Sequence, residues 1–352
     1  MWKERQFKQP TLTHGCTNLS DPRTSEVVCA GILVADIFVN PVQRLPGPGE
    51  LTITSNLIQS AGGSAANAAI ALRILGQKVE VAGKVGLDML GDFVISELRQ
   101  RGIGVANIRR SANCSTSGTV VLNVKGEDRR YLHCAGANSE FGFEDVDIRS
   151  LDGAKVLYFG GHLALPSFTV GRLAELLREA KERRLTTVLD VTMPAEKSFG
   201  IEDVAAALRY TDYFLPNYEE AARLTGEVDE GRQGKLLNDV NPDCAVVITR
   251  GPEGSITRRR GQVIETPPFR MKSVDESGAG DSFAAGLIVG LMQGWELEAT
   301  LMFAAAVGAS RTRALGCSSS VFTFEEAVSF LERGATTNAG WDTFPRAISR
   351  TA

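Results

Sequence analysis

The stretch Ser273-Val274-Asp275-Glu276-Ser277-Gly278-Ala279-Gly280-Asp281-Ser282-Phe283 runs directly into Ala284-Ala285-Gly286-Leu287-Ile288-Val289-Gly290-Leu291. Apolar side chains at 283, 287 and 291 recur at helical spacing, so a helix starts here, and Gly278-Ala279-Gly280 ahead of it leave a backbone that a bulky anion can approach closely. The first turn of a helix carries N–H groups without intrahelical partners at the positive end of its dipole. That makes this turn a candidate phosphate site. Asp281 falls in the same turn, one carboxylate beside the place where a phosphoryl group would rest. Taken alone, the residues also fit a plain capped helix start with Asp281 as the cap, so the rest of the chain has to decide.

Outward from that turn, the 352-residue chain is long enough for one large domain or for a domain with a smaller appendage. A hydrophobic content of 43% and a charged content of 23% are those of an ordinary globular protein, which sets membrane and fibre classes aside. The 38 basic and 42 acidic residues leave a net charge of -4 without a long basic run, so neither nucleic acid nor an anionic membrane is an expected partner. Cysteines at 16, 29, 114, 134, 244 and 317 form no C-x-x-C pair, and histidines stand alone at 14, 133 and 162. Neither a zinc site nor a disulfide framework is suggested. Met1 to Glu26 is polar and lacks an apolar segment of signal-peptide length, so the expectation is a reduced, cytoplasmic protein with a loose N-terminal extension over 1–26.

The first structural element is the apolar run Val27 to Val34, read as a strand buried on both faces that ends at Ala35-Asp36. A carboxylate at such a strand end is where open α/β sheets bind ligands, although a turn-forming Asp is the alternative. Residues 40–50 are rich in turn formers, and Leu51 to Gln59 alternates as a partly exposed strand. Then comes Ala61-Gly62-Gly63-Ser64-Ala65-Ala66-Asn67, where paired glycines at a helix start let a ligand touch the backbone, and Gly76 ends the helix. Asn67 points from the first turns and needs a partner, either a bound polyol or an internal backbone group.

From Val79 onward the pattern alternates between short apolar strands and helical segments: strands at 79–85, 156–159, 187–190, 213–215 and 245–249, helices at 91–101, 169–183, 204–208 and 218–225. Such alternation predicts a mostly parallel sheet with helices on both faces. Segments 36–60 and 105–135 break the alternation, are strand-like, and are expected to pair into a small lid. A small-residue helix over 297–312, a loop to Ser320 and a last helix over 323–332 follow, with 333–352 left as a tail.

No G-x-x-x-x-G-K-[ST] occurs and no G-x-G-x-x-G follows a strand, so Walker-type and dinucleotide-binding readings lose support. Ala61 to Asn67, the glycines at 76 and 86, and Gly278-Ala279-Gly280-Asp281 resemble the two motifs of the ribokinase family, the PfkB-type carbohydrate and nucleoside kinases. The resemblance spans about 27 to 332 and implies a ribokinase-like three-layer α/β/α fold with a small β lid. It also implies roles. Asp281 corresponds to the catalytic base, and the N–H groups of Gly278, Ala279 and Gly280 to the anion hole for the γ-phosphate of ATP. Asp36, Gly63 and Asn67 match the sugar-contacting positions. Asn217 and Glu220 match an N-x-x-E element that acts on Mg²⁺ and phosphate through water, while a capped helix start is the plain reading of the same four residues. Thr249, Gly251 and Gly254 resemble a loop along the nucleotide. Asp275 and Ser277, with the loop ending at Ser320, match a monovalent-cation site of potassium-dependent members, although Glu276 and Cys317-Ser318-Ser319 depart from the usual pattern.

The expected activity is therefore transfer of a phosphoryl group from ATP to a small neutral sugar, because Ser64-Ala65-Ala66 offers no cation to a phosphorylated one. A nucleoside acceptor stays open through Phe38, Tyr131 and His133, which are alternatively lid packing. A keto-deoxy sugar acid stays open through Arg129 and Arg130, which are alternatively a solvated hairpin face. A sugar-binding regulator without catalysis is the reading from another class, and pairing of two chains through the lid edges is expected of unpaired strands.

Overall fold

The computed structural model describes residues 25–127, 129–316 and 319–335. The expected N-terminal extension up to residue 24, and the tail from 336 onward, lie outside the described residues. In chain order, β1 (Val27–Gly31), β2 (Val34–Val42) and β3 (Leu57–Gly62) lead into α1 (Ser64–Ile74). Then come β4 (Val79–Gly86), α2 (Met89–Gln100), β5 (Gly104–Ser111), β6 (Gly118–Val124), β7 (Arg130–Cys134) and β8 (Val156–Gly160). The second half holds α3 (Val170–Glu182), β9 (Thr186–Leu189), α4 (Glu202–Leu208), β10 (Tyr213–Phe214), α5 (Tyr218–Thr225) and α6 (Glu230–Val240). It ends with β11 (Ala245–Thr249), β12 (Ser255–Arg259), β13 (Gln262–Thr266), α7 (Ala279–Met292), α8 (Leu297–Arg311) and α9 (Phe324–Ala335).

Nine strands form one sheet in the order β13-β12-β11-β10-β9-β8-β1-β4-β5, parallel from β11 to β5 and antiparallel at the β12 and β13 edge. Successive residues of β1 face opposite sides. Val27 and Cys29 pack under α1, α7 and α8, whereas Val28 and Ala30 pack with Leu173, Leu177 and Leu208 from α3 and α4. This two-sided burial is why the strands read as unbroken apolar runs. Four more strands, in the order β3-β2-β6-β7, make a separate small sheet, the lid. The result is the three-layer α/β/α domain with a β lid that the resemblance implies.

Four readings need correcting. The run from Val27 is two strands: a Cβ on Gly31, at φ 141°, would stand 2.0 Å from the Gly160 carbonyl oxygen, so the chain turns away and re-enters as β2 at Val34. Asp36 accordingly lies inside a lid strand and not at the end of a core strand. The lid contribution expected from 105–135 is smaller, since 104–111 is β5 and pairs in parallel with β4 in the large sheet. Its Asn107 donates to the buried Glu80 at 2.9 Å, an internal contact that a strand facing a cleft would not offer. The strand expected over 51–59 is only 57–62, with Leu51 and Ile53 fully in solvent. The last helix extends to Ala335 and takes in the first residues assigned to the tail.

Candidate active site

The carboxyl ends of β1, β8, β9 and β11 meet the amino ends of α1, α5 and α7, the crevice where an open parallel sheet binds ligands. Gly278 caps α7 with φ 77°, a left-handed conformation that suits glycine, and Asp281 is in the first turn as expected. A Cβ built on Gly280 would meet no atom within 4 Å, so the first turn of α7 opens onto free space. Backbone N–H groups facing a cleft at a helix start are what an anion needs.

Across the cleft, Gly63 caps α1 with φ 88°, and Asn67 lies about one turn further in, 5% exposed. Asn67 Nδ2 donates to Asp281 Oδ2 at 2.8 Å, while Asn67 Oδ1 is buried without a partner among the described residues. A buried unpaired carbonyl oxygen is costly and is satisfied when a ligand hydroxyl donates to it. Asp36 is 6% exposed on β2, in register with Ser60 of β3 and Thr119 of β6. Gly62 is fitted to it: a Cβ there would fall 1.9 Å from Asp36 Oδ2.

Asp281 is still reached by solvent, yet its surroundings exclude enough water to push its pKa up to about 6. Burial is the main cause, opposed by hydrogen bonds from Asn67, Ser64 and Tyr158 and by the charge of Arg311. Burial also raises Asp190, at the end of β9, well above the usual carboxylate range, with the charges of Glu220 and Asp281 adding to the rise. Tyr158 places its hydroxyl 3.4 Å from Asp190 Oδ2. Glu220 is pushed up to about 7, mainly by burial, with the Asn217 backbone lowering it and Asp281 raising it. Three carboxylates with raised pKa values thus face one water-poor cleft, the pattern of a functional site, although no cluster of three His, Cys, Asp or Glu side chains that could hold a metal ion occurs among the described residues.

Asn217 and Glu220 cap α5 reciprocally: Glu220 N donates to Asn217 Oδ1 and Asn217 N to Glu220 Oε2, both at 2.9 Å. The plain reading of this element therefore holds, and the element also faces the cleft. Asn217, Thr249 and Gly251 line a polar cavity of about 800 Å³. An adjoining cavity of about 450 Å³ is lined by Gly251, Gly254, Phe269, Phe283, Ala305 and Gly308, apolar enough for a flat ring. Thr249 and Gly251 thus line both cavities, and Gly254 lines the smaller one.

At Asp275 the structure departs from the expected cation site. Asp275 is 2% exposed and its Oδ1 accepts from Ser277 N at 2.9 Å and from the Arg129 guanidinium. Its Oδ2 accepts from Gly316 N at 2.9 Å and lies 3.5 Å from Arg311 Nη2. Ser320 turns its hydroxyl to the Ser310 and Arg311 carbonyls at 3.2 and 3.0 Å. Two guanidinium groups stand where a free cation was expected. Arg129 is correspondingly not on a solvated face, whereas Arg130 pairs with Glu127 within its hairpin, as expected.

Sequence reasoning passed over Asp190, Tyr158 and Arg311. Asp190 carried the same signal as Asp36, an acid at the end of a buried strand, and could have been found. Tyr158 and Arg311 carried none, being one buried aromatic in an apolar run and one Arg at a helix end. Of the aromatic candidates, Phe38 is buried against Val121 as lid packing, and His133 pairs with Thr119 at 3.0 Å.

A ribokinase-like sheet, a glycine turn at a helix start and a carboxylate beside it define a sugar phosphotransferase with an alcohol group as acceptor. The pfkB carbohydrate kinase family model matches residues 24–323, and the chain belongs to that family. A 5-dehydro-2-deoxygluconokinase of Clostridium perfringens is 26% identical over 326 residues, covering 89% of this chain and 94% of that protein. An ATP-dependent ribose-1-phosphate kinase of Halopiger xanaduensis is 30% identical over 284 residues, covering 80% and 90%. Among solved structures, Arabidopsis thaliana ribokinase complexed with ribose and ATP superimposes with a TM-score of 0.74 at 22% identity, over 87% of this chain and 98% of that one.

Proposed function

We propose that this carbohydrate kinase transfers the γ-phosphoryl group of ATP to a hydroxyl of a small neutral sugar. The hydrogen bond from Asn67 to Asp281 carries the reading. It joins the helix that would hold the acceptor to the helix that would hold the phosphate, and leaves Asn67 Oδ1 to accept from an acceptor hydroxyl. Asp281, with a pKa of about 6, is ionised at neutral pH and basic enough to take that hydroxyl's proton as it attacks. Asp36 grips neighbouring hydroxyls, with Gly63 allowing close approach. The N–H groups from Gly278 to Gly280 hold the transferring group, since phosphoryl transfer needs chiefly positioning and charge stabilisation. Mg²⁺, when bound with the triphosphate, would neutralise its charge, and Glu220 and Asp190 supply oxygen donors suited to holding it through water. The lid sheet keeps water from competing as acceptor.

No cation stands at Ser64-Ala65-Ala66, and Lys84, the cation of β4, is occupied by Asp145 at 3.1 Å, both of which favour a neutral acceptor over an anionic one. The second reading, a keto-deoxy sugar acid, is supported by the names of the Clostridium relatives. Burial of Phe38 removes one platform from a nucleoside acceptor. Cytoplasmic residence is part of this reading, supported by the free thiols of Cys29 and Cys244 in the core.

The test is ADP release from ATP and Mg²⁺ over a panel of free pentoses and hexoses, keto-deoxy acids, sugar phosphates and nucleosides, beside Asp281→Asn. One strong neutral acceptor, with turnover cut by ~10² to 10⁴ in the variant, is the expected result. A strong keto-deoxy acid would transfer the assignment to the second reading, and equal turnover in the variant would remove Asp281 from the mechanism.

A further inference from the structure

The loop that precedes the anion hole meets positive charge from side chains of the lid and of α8. Asp275 is fully sequestered, and each of its carboxylate oxygens is met by a backbone N–H and a guanidinium: Ser277 N with Arg129 at Oδ1, Gly316 N with Arg311 at Oδ2. Arg129 Nη1 also donates to Ser277 Oγ at 2.9 Å, and Arg311 Nη1 to the Ala314 carbonyl at 2.8 Å. The Asp275 and Arg311 side chains have no exposed surface, and the Arg129 side chain keeps 22%. The residue set expected to hold a monovalent cation thus does not fit one. Guanidinium groups stay charged at any working pH, and a further cation beside two of them in a dry pocket would meet strong repulsion.

The two arginines differ in origin. Arg311 is the last residue of α8 and belongs to the same layer as α7. Arg129 directly precedes β7 and comes from the lid, so its bonds to Asp275 and Ser277 span the cleft and reach the residue just ahead of Gly278. A mobile ion could order that loop but could not link it to the lid.

We propose that Arg129 and Arg311 replace the monovalent cation, so that nucleotide binding and transfer are independent of K⁺, and that Arg129 is a positioning residue tying the lid to the anion hole. The transfer part rests on the kinase reading given above; the cation part does not. Three measurements in K⁺, Na⁺ or tetramethylammonium at equal ionic strength test it: melting of the ligand-free protein, calorimetric binding of a non-hydrolysable ATP analogue with Mg²⁺, and ATP turnover with the best acceptor. In wild type all three are expected to be the same in every salt. Arg311 is too deeply buried for a clean variant, so the partly exposed Arg129 is the one to change. Arg129→Gln should weaken analogue binding and turnover by about 10- to 100-fold in tetramethylammonium, the worth of a charge-assisted bond. Added K⁺ or guanidinium ion should restore both and raise the variant's melting temperature, and Arg129→Lys should keep most of the wild-type values.

Activation of wild type by K⁺, or an Arg129→Gln variant indistinguishable from wild type in every salt, overturns the proposal. A loss in Arg129→Gln that neither K⁺ nor guanidinium restores reduces Arg129 to a fold contact and overturns it equally. If turnover is absent everywhere while melting follows the expected salt pattern, the kinase reading falls and the cation replacement stands.

Discussion

Asp275 and Asp281 flank the same glycine turn, and the protein treats them in opposite ways. Asp275 is closed off and saturated, with two backbone N–H groups and two guanidiniums on one carboxylate. Asp281 faces the cleft with Asn67, Ser64 and Tyr158 as neutral donors, and burial pushes its pKa up to about 6. The turn between them shows what separates a carboxylate that holds a loop from one that can take a proton: the first has guanidinium groups in contact with it, and the second has burial that its neutral donors do not fully offset.

The comparison breaks most visibly at Asp275. Asp275→Asn strands Arg311 in the core without its counter-charge and is expected to cost ~3–5 kcal/mol of stability in urea unfolding. Should that variant unfold like wild type, Asp275 is not the structural partner. On the acceptor side, Gly62→Ala drives a methyl into Asp36 Oδ2 and should raise the acceptor KM by ~10²-fold through misplacement, with affinity for the ATP analogue unchanged. Equal losses for both ligands would mean a general collapse of the cleft.

Smaller effects sharpen the contrast. Because Asp281 must be ionised to act, kcat/KM is expected to be flat above its pKa of about 6 and to fall tenfold per unit below it. Asn67 donates to the ionised form and lowers that pKa, so Asn67→Ala should move the acid limb upward in pH. Stability gives the opposite slope from a paired acid. A carboxylate whose folded pKa exceeds its unfolded value of about 4 binds more protons when folded, so its contribution is present below 4 and is lost as pH rises through the folded value. The Asp281 and Glu220 contributions to the stability of the ligand-free protein should therefore be lost between pH 4 and pH 7, the range set by their values of about 6 and about 7, while the buried His162, held down to about 4, contributes the opposite trend. Asp281→Asn should flatten part of that slope in a pH series of thermal melts.

Much of this was legible in the chain. Two-sided apolar runs announced the parallel sheet, and small residues at 61–67 and 278–280 marked the two helix starts that face each other across the cleft. The misreadings have physical causes. Val27 to Val34 is uniformly apolar, so nothing in it shows that Gly31 must pass against the Gly160 carbonyl and that Asp36 belongs to the lid. β5 looked like lid because it breaks the strand–helix alternation and is partly polar, yet Asn107 spends its polarity on Glu80. The ends of β12 and β13 lie at a sheet edge where alternation replaces apolar runs, and they were not read as strands. The partners of Asp275 lie 146 and 36 residues away in sequence, and no local pattern connects them.

The most direct test takes one preparation of Asp281→Asn and measures its melting temperature and its ATP turnover with the best acceptor side by side. If Asp281 is the buried, reactive carboxylate, removing its charge relieves the cost of burying it. The variant then melts at or above the wild-type temperature at pH 7.5 while turnover falls by ~10² or more. A variant that melts lower and still turns over at the wild-type rate would contradict this, and would make Asp281 a structural acid like Asp275.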